Sequence, residues 1–477
     1  MIRTRYAPSP TGFMHVGNLR TALYAYLIAK HGDGKFLLRI EDTDSKRNVE
    51  GALEAIYNSL KLAGLTYDEG PDKDGGFGPY VQSLRLPIYK GYAEELVAKG
   101  EAYYCFCEKE ERVVEFETEM PIAGERDICR NLSHQQAETL LAQGEPAAIR
   151  QRIPDTGTTT YHDHILGDIS FDNALLDDQV LLKSDGFPTY NFANVIDDHL
   201  MQITHVVRGQ EYISSTPKYS LLYQAFNWQS PVLVHCPLIV NEDGTKMSKR
   251  KGAPTLEQMV EMGFLPAAIV NYVSLLGWNP GTAQEIFTLE ELVQVFNIDR
   301  INKSPASFSM EKLTWMNGEH IRRLNPEAFH LLALPWYPNS LKALEFDIEK
   351  ISRLIQVRTE RLSDIPVMTS FLAELPAYNA AMFINEKSRS TLESSRNILS
   401  QTIPLMEALE TWTNESIFAC LKTFAVESGF KVGTVMWPIR AGCSGLEATP
   451  GGATELADLL GKEETLRRLR FGLAKLQ

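Results

Sequence analysis

Six cysteines in 477 residues are too few for a disulfide framework, and such sparse use points to a reducing, cytosolic compartment. Long apolar runs are missing too. Pro, Asn or a charge interrupts every candidate, the stretch from Phe264 to Trp278 included, before it reaches the roughly 18–20 uncharged residues of a membrane helix. The start, MIRTRYAPSP, has no apolar signal region. An excess of positive charge is also lacking: 47 Lys and Arg stand against 61 Asp and Glu, a net charge of -14, which as a whole argues against a nucleic-acid partner. Neither a tandem repeat nor a low-complexity tract is present. What remains is an ordinary globular composition, 44% apolar and 23% charged, with length for about three domains.

The acidity is unevenly spread. Residues 101–184 carry 7 basic against 17 acidic side chains, whereas residues 323–477 carry 17 against 18. An acidic block in mid-chain reads either as an inserted module or as an acidic surface patch. On either side of it the pattern is α/β. Ile2 to Ala7 is β-prone, Pro8 to Gly12 is turn-rich, Leu19 to Lys30 has helical spacing, and Lys35 to Ile40 is a second strand. That succession starts a βαβ unit and a parallel sheet, which Ile203 to Arg208 and Val232 to Cys236 are expected to join. Beyond Phe264 the strand signals fade, and the segments around Leu289, Leu313, Ile351, Leu392, Leu405, Ile417 and Leu466 read as helices.

Two segments carry chemistry. No Walker A loop or dinucleotide fingerprint is present; GDGKF, Gly32 to Phe36, follows its Lys with Phe instead of Ser or Thr. HVGN, His15 to Asn18, falls where a loop enters a helix, and helix N-termini offer unpaired N–H groups to phosphate oxygens. There His15 can donate to a phosphoryl oxygen, Gly17 lets a flat base approach the backbone, and Asn18 caps the helix or meets phosphate. The same residues also describe a plain cap after a surface histidine. KMSKRK, Lys246 to Lys251, sets four cations in six residues after the turn-forming NEDG. It is either a solvated loop or a lysine loop that meets the charge developing on a departing pyrophosphate.

In this order, about 230 residues apart on an α/β frame, the two segments resemble the signatures of class I aminoacyl-tRNA synthetases. RYAPSPTG at Arg5 to Gly12, RIEDTD at Arg39 to Asp44 and DGFPTYNFANVIDDHLM at Asp185 to Met201 narrow the resemblance to the glutamyl-tRNA synthetase family, over essentially the whole chain. It implies a multidomain α/β protein: a Rossmann-type parallel-sheet catalytic domain, split over 1–100 and 185–240, with an inserted α+β acceptor-end-binding domain at 101–184. A stem-contact domain with the lysine loop follows at 241–322, then all-helical anticodon-binding subdomains at 323–375 and 376–477. The implied reaction condenses L-glutamate with ATP, accompanied by Mg2+, to glutamyl-adenylate and passes glutamate to the terminal adenosine of tRNA(Glu). The expected enzyme is a cytoplasmic monomer without membrane contact. The nearest rival charges tRNA(Gln) as well; a nucleotidyltransferase acting on a small molecule would leave the helical C-terminal third without a use.

By the same resemblance His15, Gly17 and Asn18 hold ATP, and Lys246 and Lys249 stabilise its β- and γ-phosphates, Lys249 foremost. Arg5, Ser9, Glu41, Tyr190, Asn194 and Arg208 bind glutamate. That set has a physical logic: a substrate with two carboxylates and one ammonium calls for two cations and an anion, which Arg5, Arg208 and Glu41 supply. An arginine facing the side-chain carboxylate also disfavours glutamine. Arg39 and Asp42 are read as no more than a structural ion pair. Gln210 stands where the family more often has Glu, which removes a negative charge near the pocket.

Cys105, Cys107 and Cys129 resemble a zinc knuckle of the insertion. Zinc takes four ligands; Glu125 or His134 completes the site, or the thiols stay reduced and metal-free, the reading that weighs more. In the helical part VRTERLSDIP at Val357 to Pro366, PIRAG at Pro438 to Gly442 and EATPG at Glu447 to Gly451 match the family, so that Arg358, Arg440, Thr449 and Pro450 fall on anticodon-contacting positions. RRLR, Arg467 to Arg470, reads as a solvated helix face. Transfer RNA is expected along the helical part and the lysine loop, with the acidic block meeting it through a limited face.

Overall fold

The computed structural model describes residues 1–10, 14–44, 49, 51–107, 128–247, 254–344 and 346–477. It divides into two units, one of Met1–Met259 with Ile269–Met310 and one of Val260–Ala268 with Glu311–Gln477.

The first unit opens with β1 (Arg3–Tyr6), α1 (Val16–His31) and β2 (Lys35–Leu38), followed by α2 (Ala52–Leu62) and α3 (Leu86–Ala98). Strands β1 and β2 pair in parallel, Arg3 opposite Lys35 through Tyr6 opposite Leu38, with α1 as the crossover. Helix α1 is buried nearly all round, including Leu19, Ala22, Leu23, Leu27 and Ala29, so its Ala- and Leu-rich sequence needs no polar face. Next come β3 (Ala102–Cys105), α4 (His134–Ala142), β4 (Ala148–Gln151), β5 (Thr158–Asp163), β6 (Gly167–Asp172) and β7 (Val180–Leu182). After α5 (Tyr190–Leu200), β8 (His205–Gly209), α6 (Thr216–Ala225) and β9 (Val232–Cys236), the unit includes β10 (Ile239–Val240), α9 (Leu289–Val295) and β11 (Ala306–Ser307); α7 (Leu256–Glu261) and α8 (Pro266–Ser274) each lie across the division.

Strands β5, β9 and β8 run in parallel, with β6 antiparallel at the edge. The Thr204 N–H donates to the Arg3 carbonyl at 2.9 Å, which sets β1 alongside β8. Buried residues fill β1 and the middle of β8 and β9, as expected of a parallel sheet covered on both faces. The acidic segment 101–184 contributes to two sheets: β3, β4 and β7 form an antiparallel sheet of their own, whereas β5 and β6 join the central one. Strand β5 alternates, with Thr159, Tyr161 and Asp163 turned inward.

In the second unit every segment from α10 (Met310–Arg323) onward that is regular is helical among the described residues: α11 (Pro326–Ala333), α12 (Asn339–Ala343), α13 (Ile348–Ile355), α14 (Ile365–Ala373), α15 (Leu392–Glu407), α16 (Asn414–Ser428), α17 (Val432–Ser444), α18 (Ala453–Leu460) and α19 (Lys462–Ala474). Ile351, Phe371, Ile398, Leu421, Ile439, Leu456 and Leu469 share one core. Thr391 and Thr413 start α15 and α16 with reciprocal bonds to Ser394 and Ser416, which satisfy N–H groups that the helix leaves open. Helix α17 stops at Gly445, whose φ of +64° suits glycine and whose missing Cβ would stand 2.8 Å from the Tyr378 ring.

One expectation is corrected here. RRLR is not a uniformly solvated face: Arg468 is 1% exposed and donates to the carbonyls of Phe371, Leu372 and Cys443 at 2.8–2.9 Å, and also pairs with Glu464. The helical period puts it on the buried side with Thr465, Leu469 and Gly472. Among the described residues no helix is long and apolar enough to cross a membrane.

Candidate functional site

His15 is the N-cap of α1, and its Nδ1 accepts from the Gly17 N–H at 3.0 Å. A Cβ on Gly17 would stand 3.0 Å from the His15 ring, so glycine is what allows this cap to close. His15, Gly17, Asn18, Arg20, Glu211 and Lys246 are among the residues lining a cavity of about 260 Å³. The HVGN segment and the first lysine of KMSKRK thus meet at one place. Val240 bridges Lys246, and Thr255 bridges His15, so the chain is anchored beside the cavity on both sides of residues 248–253. Lys249 lies outside the described residues. The wall behind is held by Arg20, which is buried and donates to the carbonyls of Leu276 and Pro237.

Five of the six residues expected to bind glutamate sit on β1, α5, β8 and the chain after β2. Arg5 donates to Asp198 through Nε at 2.8 Å and a terminal amino group at 3.2 Å. Arg208 reaches the Asn194 side-chain oxygen at 3.3 Å and lies 4.0 Å from Asp198. Its guanidinium faces the rings of Tyr212 at 5.3 Å and Tyr219 at 5.0 Å, and Tyr190 packs against Tyr212. Glu41 is buried and accepts from Arg39 at 3.0 Å through one oxygen. The sixth, Ser9, is exposed.

Asp198 is the hub that motif reading missed. It joins Arg5, Arg39 and Arg208, while Asp197 beside it accepts from Arg85, Gln82 and Tyr89. Burial alone would raise the Asp198 carboxyl, but Arg5 and Arg39 overcome it and hold the group down at about 2. Glu41 goes the other way, because burial outweighs the pull of Arg39 and Arg5. Burial likewise pushes the Tyr190 phenol up, against Arg208. Arg39 is therefore no bystander: it bonds both Glu41 and Asp198, while Asp42 accepts from the Ser83 N–H and hydroxyl. The signal for Asp198 was an acid pair inside an otherwise apolar helical segment.

In the second unit Arg358 donates to the Pro450 carbonyl, Arg440 to the Glu447 carbonyl at 2.9 Å, and the Thr449 hydroxyl to the Gly451 carbonyl at 2.7 Å. The Arg358–Pro450 bond brings Arg358 to the end of α17 and the loop that follows it, where the other three residues lie close together in sequence. Arg440 also lies over the Trp437 ring at 4.4 Å.

Residues 1–315 match the family model for the catalytic domain of class I tRNA synthetases of the E and Q type, and residues 328–473 match an anticodon binding domain. The chain belongs to the class I tRNA synthetases. It is 53% identical to the glutamate–tRNA ligase of Clostridium botulinum, with all of this chain and 99% of that one covered, and 53% identical to that of Clostridium tetani, with 100% and 98% covered. The solved glutamate tRNA ligase from Elizabethkingia meningosepticum, in complex with its amino acid, superposes with a TM-score of 0.86 at 32% identity over the full length of both. The glutamate-tRNA synthetase of Elizabethkingia anophelis does so with 0.86 at 33%, covering 99% of each. The synthetase fold, a parallel-sheet catalytic part followed by a helical anticodon part, is therefore as the sequence led one to expect.

One more cluster of the synthetase concerns metal. The Sγ atoms of Cys105, Cys107 and Cys129 lie within 4.8 Å of one another, with Cys107 and Cys129 3.4 Å apart. Burial, and hydrogen bonds to the other two thiols, push Cys107 up to about 12. His134, one of the two candidates for a fourth ligand, is exposed on α4 and pairs with Glu138 at 3.3 Å; Glu125 lies outside the described residues.

Proposed function

We propose that this class I synthetase activates L-glutamate with ATP to glutamyl-adenylate and transfers glutamate to the 3′ terminal adenosine of tRNA(Glu). The observation that carries this reading is a pair of unsatisfied buried atoms, Arg208 Nε and Glu41 Oε2, which have no hydrogen-bond partner among the described residues. An orphaned donor and an orphaned carboxylate oxygen beside the same tyrosines suit a ligand with a carboxylate and an ammonium group. Arg5, Arg39 and Arg208 against Glu41 and Asp198 leave one positive charge, which L-glutamate neutralises and glutamine does not. In this reading Ser9, Tyr190 and Asn194 complete the glutamate contacts.

The cavity at the start of α1 takes ATP with its Mg2+. His15, Gly17 and Asn18 hold the nucleotide, and Lys246 and Lys249 meet the negative charge that grows on pyrophosphate as it leaves. With no nucleophilic side chain in the reaction, catalysis is positioning and charge stabilisation. Arg358, Arg440, Thr449 and Pro450 read the anticodon, and the segment 101–184 meets the acceptor end. The three thiols suit zinc: sulfurs around one tetrahedral zinc stand about 3.8 Å apart, near the Cys107–Cys129 separation. A bound ion would hold them as thiolates and fix the start of the segment, and metal analysis of the purified protein tests this. The enzyme works as a monomer in the cytoplasm.

The decisive experiment is charging of separate tRNA(Glu) and tRNA(Gln) transcripts with labelled glutamate. Glutamate transfer to tRNA(Glu) alone is the expected result. Transfer to both marks the broader enzyme, and transfer to neither refutes the proposal.

A further inference from the structure

Strand β5 turns an acid inward, and that acid sits under the glutamate pocket. Asp163 is fully buried; one of its oxygens accepts from the N–H groups of Ile165 and Leu166 at 3.0 and 2.8 Å, and the other faces His235. His235, also fully buried, gives that second oxygen both its backbone N–H at 3.0 Å and its Nδ1 at 2.8 Å. On the other edge of the ring, Nε2 lies 3.2 Å from the Thr216 hydroxyl, which donates its single hydrogen to the Tyr212 carbonyl at 2.7 Å. The Thr216 hydroxyl thus stands between the His235 ring and the Tyr212 carbonyl. Tyr161, two residues before Asp163, donates to the next carbonyl, that of Ile213, at 3.1 Å.

These bonds converge on the short turn that carries Tyr212. Its ring covers the Arg208 guanidinium at 5.3 Å and packs on Tyr190 at 5.5 Å. Arg208 is itself the direct partner of His235 across the β8–β9 pair. A buried polar chain is costly unless every member is satisfied, and each oxygen and ring nitrogen in this one has a partner. Asp163, His235 and Thr216 do not line the ATP cavity, and their bonds reach the pocket arginine through the Tyr212 carbonyl and the Tyr212 ring over Arg208.

We infer that Asp163, His235 and Thr216 form a positioning relay that fixes Tyr212 against Arg208 and so sets the affinity for the amino acid. The inference rests on the glutamate-pocket reading above. It makes His235 and Thr216 positioning residues that act first on the amino acid through Tyr212 and Arg208, while Glu211 on the same turn lines the ATP cavity.

The test uses the full-length enzyme with tRNA(Glu), titrating glutamate and ATP separately. Thr216→Val removes the hydroxyl at nearly constant volume. The Michaelis constant for glutamate should rise about tenfold, the size of effect one lost hydrogen bond produces, with that for ATP within twofold of wild type. Thr216→Ser, which keeps the hydroxyl, should restore the wild-type value. His235→Ala should raise the glutamate constant further; if it fails to fold, the Val and Ser pair decides. An unchanged glutamate constant in Thr216→Val, or glutamate and ATP constants rising together, overturns the relay. Failure of the wild-type enzyme to charge any tRNA with glutamate strikes the parent reading instead, so the two failures are distinguishable.

Discussion

In the first unit Arg5, Arg39 and Arg208 lie against Glu41 and Asp198, whereas in the second Arg358 and Arg440 are held by the carbonyl oxygens of Pro450 and Glu447. A guanidinium gripped by a buried carboxylate is fixed in place and has its charge largely compensated. One steered by carbonyls is aimed while keeping its charge. Arg440 even has its pKa lowered, by burial first and by its neighbour Arg358 second, a repulsion that a polyanion would relieve. The contrast fits the proposed partners of the two clusters, since a small zwitterion must match a finely balanced pocket and an RNA needs uncompensated positive charge. It also explains why a net charge of -14 misleads: what an arginine can offer depends on what already holds it.

The sharpest way to break this division is at the lysine loop. Lys249→Ala should slow tRNA-dependent pyrophosphate exchange by about 10²–10³-fold, the usual loss on removing one group that stabilises a developing charge. The Michaelis constant for tRNA should stay within twofold; a parallel rise would show that the loop serves RNA binding rather than chemistry. Next in size is Asp198→Asn. The folded Asp198 carboxyl stands at about 2 against an ordinary 3.8, so its contribution is present above the ordinary value and lost as pH falls through the folded one. Denaturant unfolding at pH 7 should find the variant less stable by on the order of 2 kcal/mol, with the gap shrinking between pH 4 and about 2. A gap that is the same at both ends would mean that the charge of Asp198 is not what stabilises the pocket. The smallest effect belongs to the second unit: Arg358→Gln should lower kcat/KM for tRNA(Glu) about tenfold while leaving the glutamate constant alone. Loss of glutamate affinity in that variant would join the two sites that the comparison separates.

Local periodicity made much of this protein legible before its structure. The β-prone run of Ile2 to Ala7, the turn that follows and the helical face of Leu19, Leu23 and Leu27 define β1 and α1 within a few residues, because each is set by neighbours in sequence. Leu392 and Leu405, read as two helical segments, belong to the single helix α15, which continues through Pro404. The membership of β5 and β6 in the central sheet was not legible, since it depends on the pairing of Asp163 with Leu233, 70 residues away. Asp198 and Arg468 were missed for a shared reason: a charged residue type suggests solvent, and only the folded chain reveals the carboxylates, guanidiniums or carbonyls that make burial tolerable.

The hub at Asp198 also bears on how such a pocket can drift. Arg5, Arg39 and Glu41 all depend on it or on each other, directly or through one shared neighbour. Any single replacement leaves a buried charge without its counterpart, whereas paired replacements need not. Effects at these four positions are thus strongly non-additive. On the proposed reading of this pocket, amino-acid specificity is a collective trait, guarded by epistasis, and a change of substrate has to pass through several substitutions at once rather than one residue at a time.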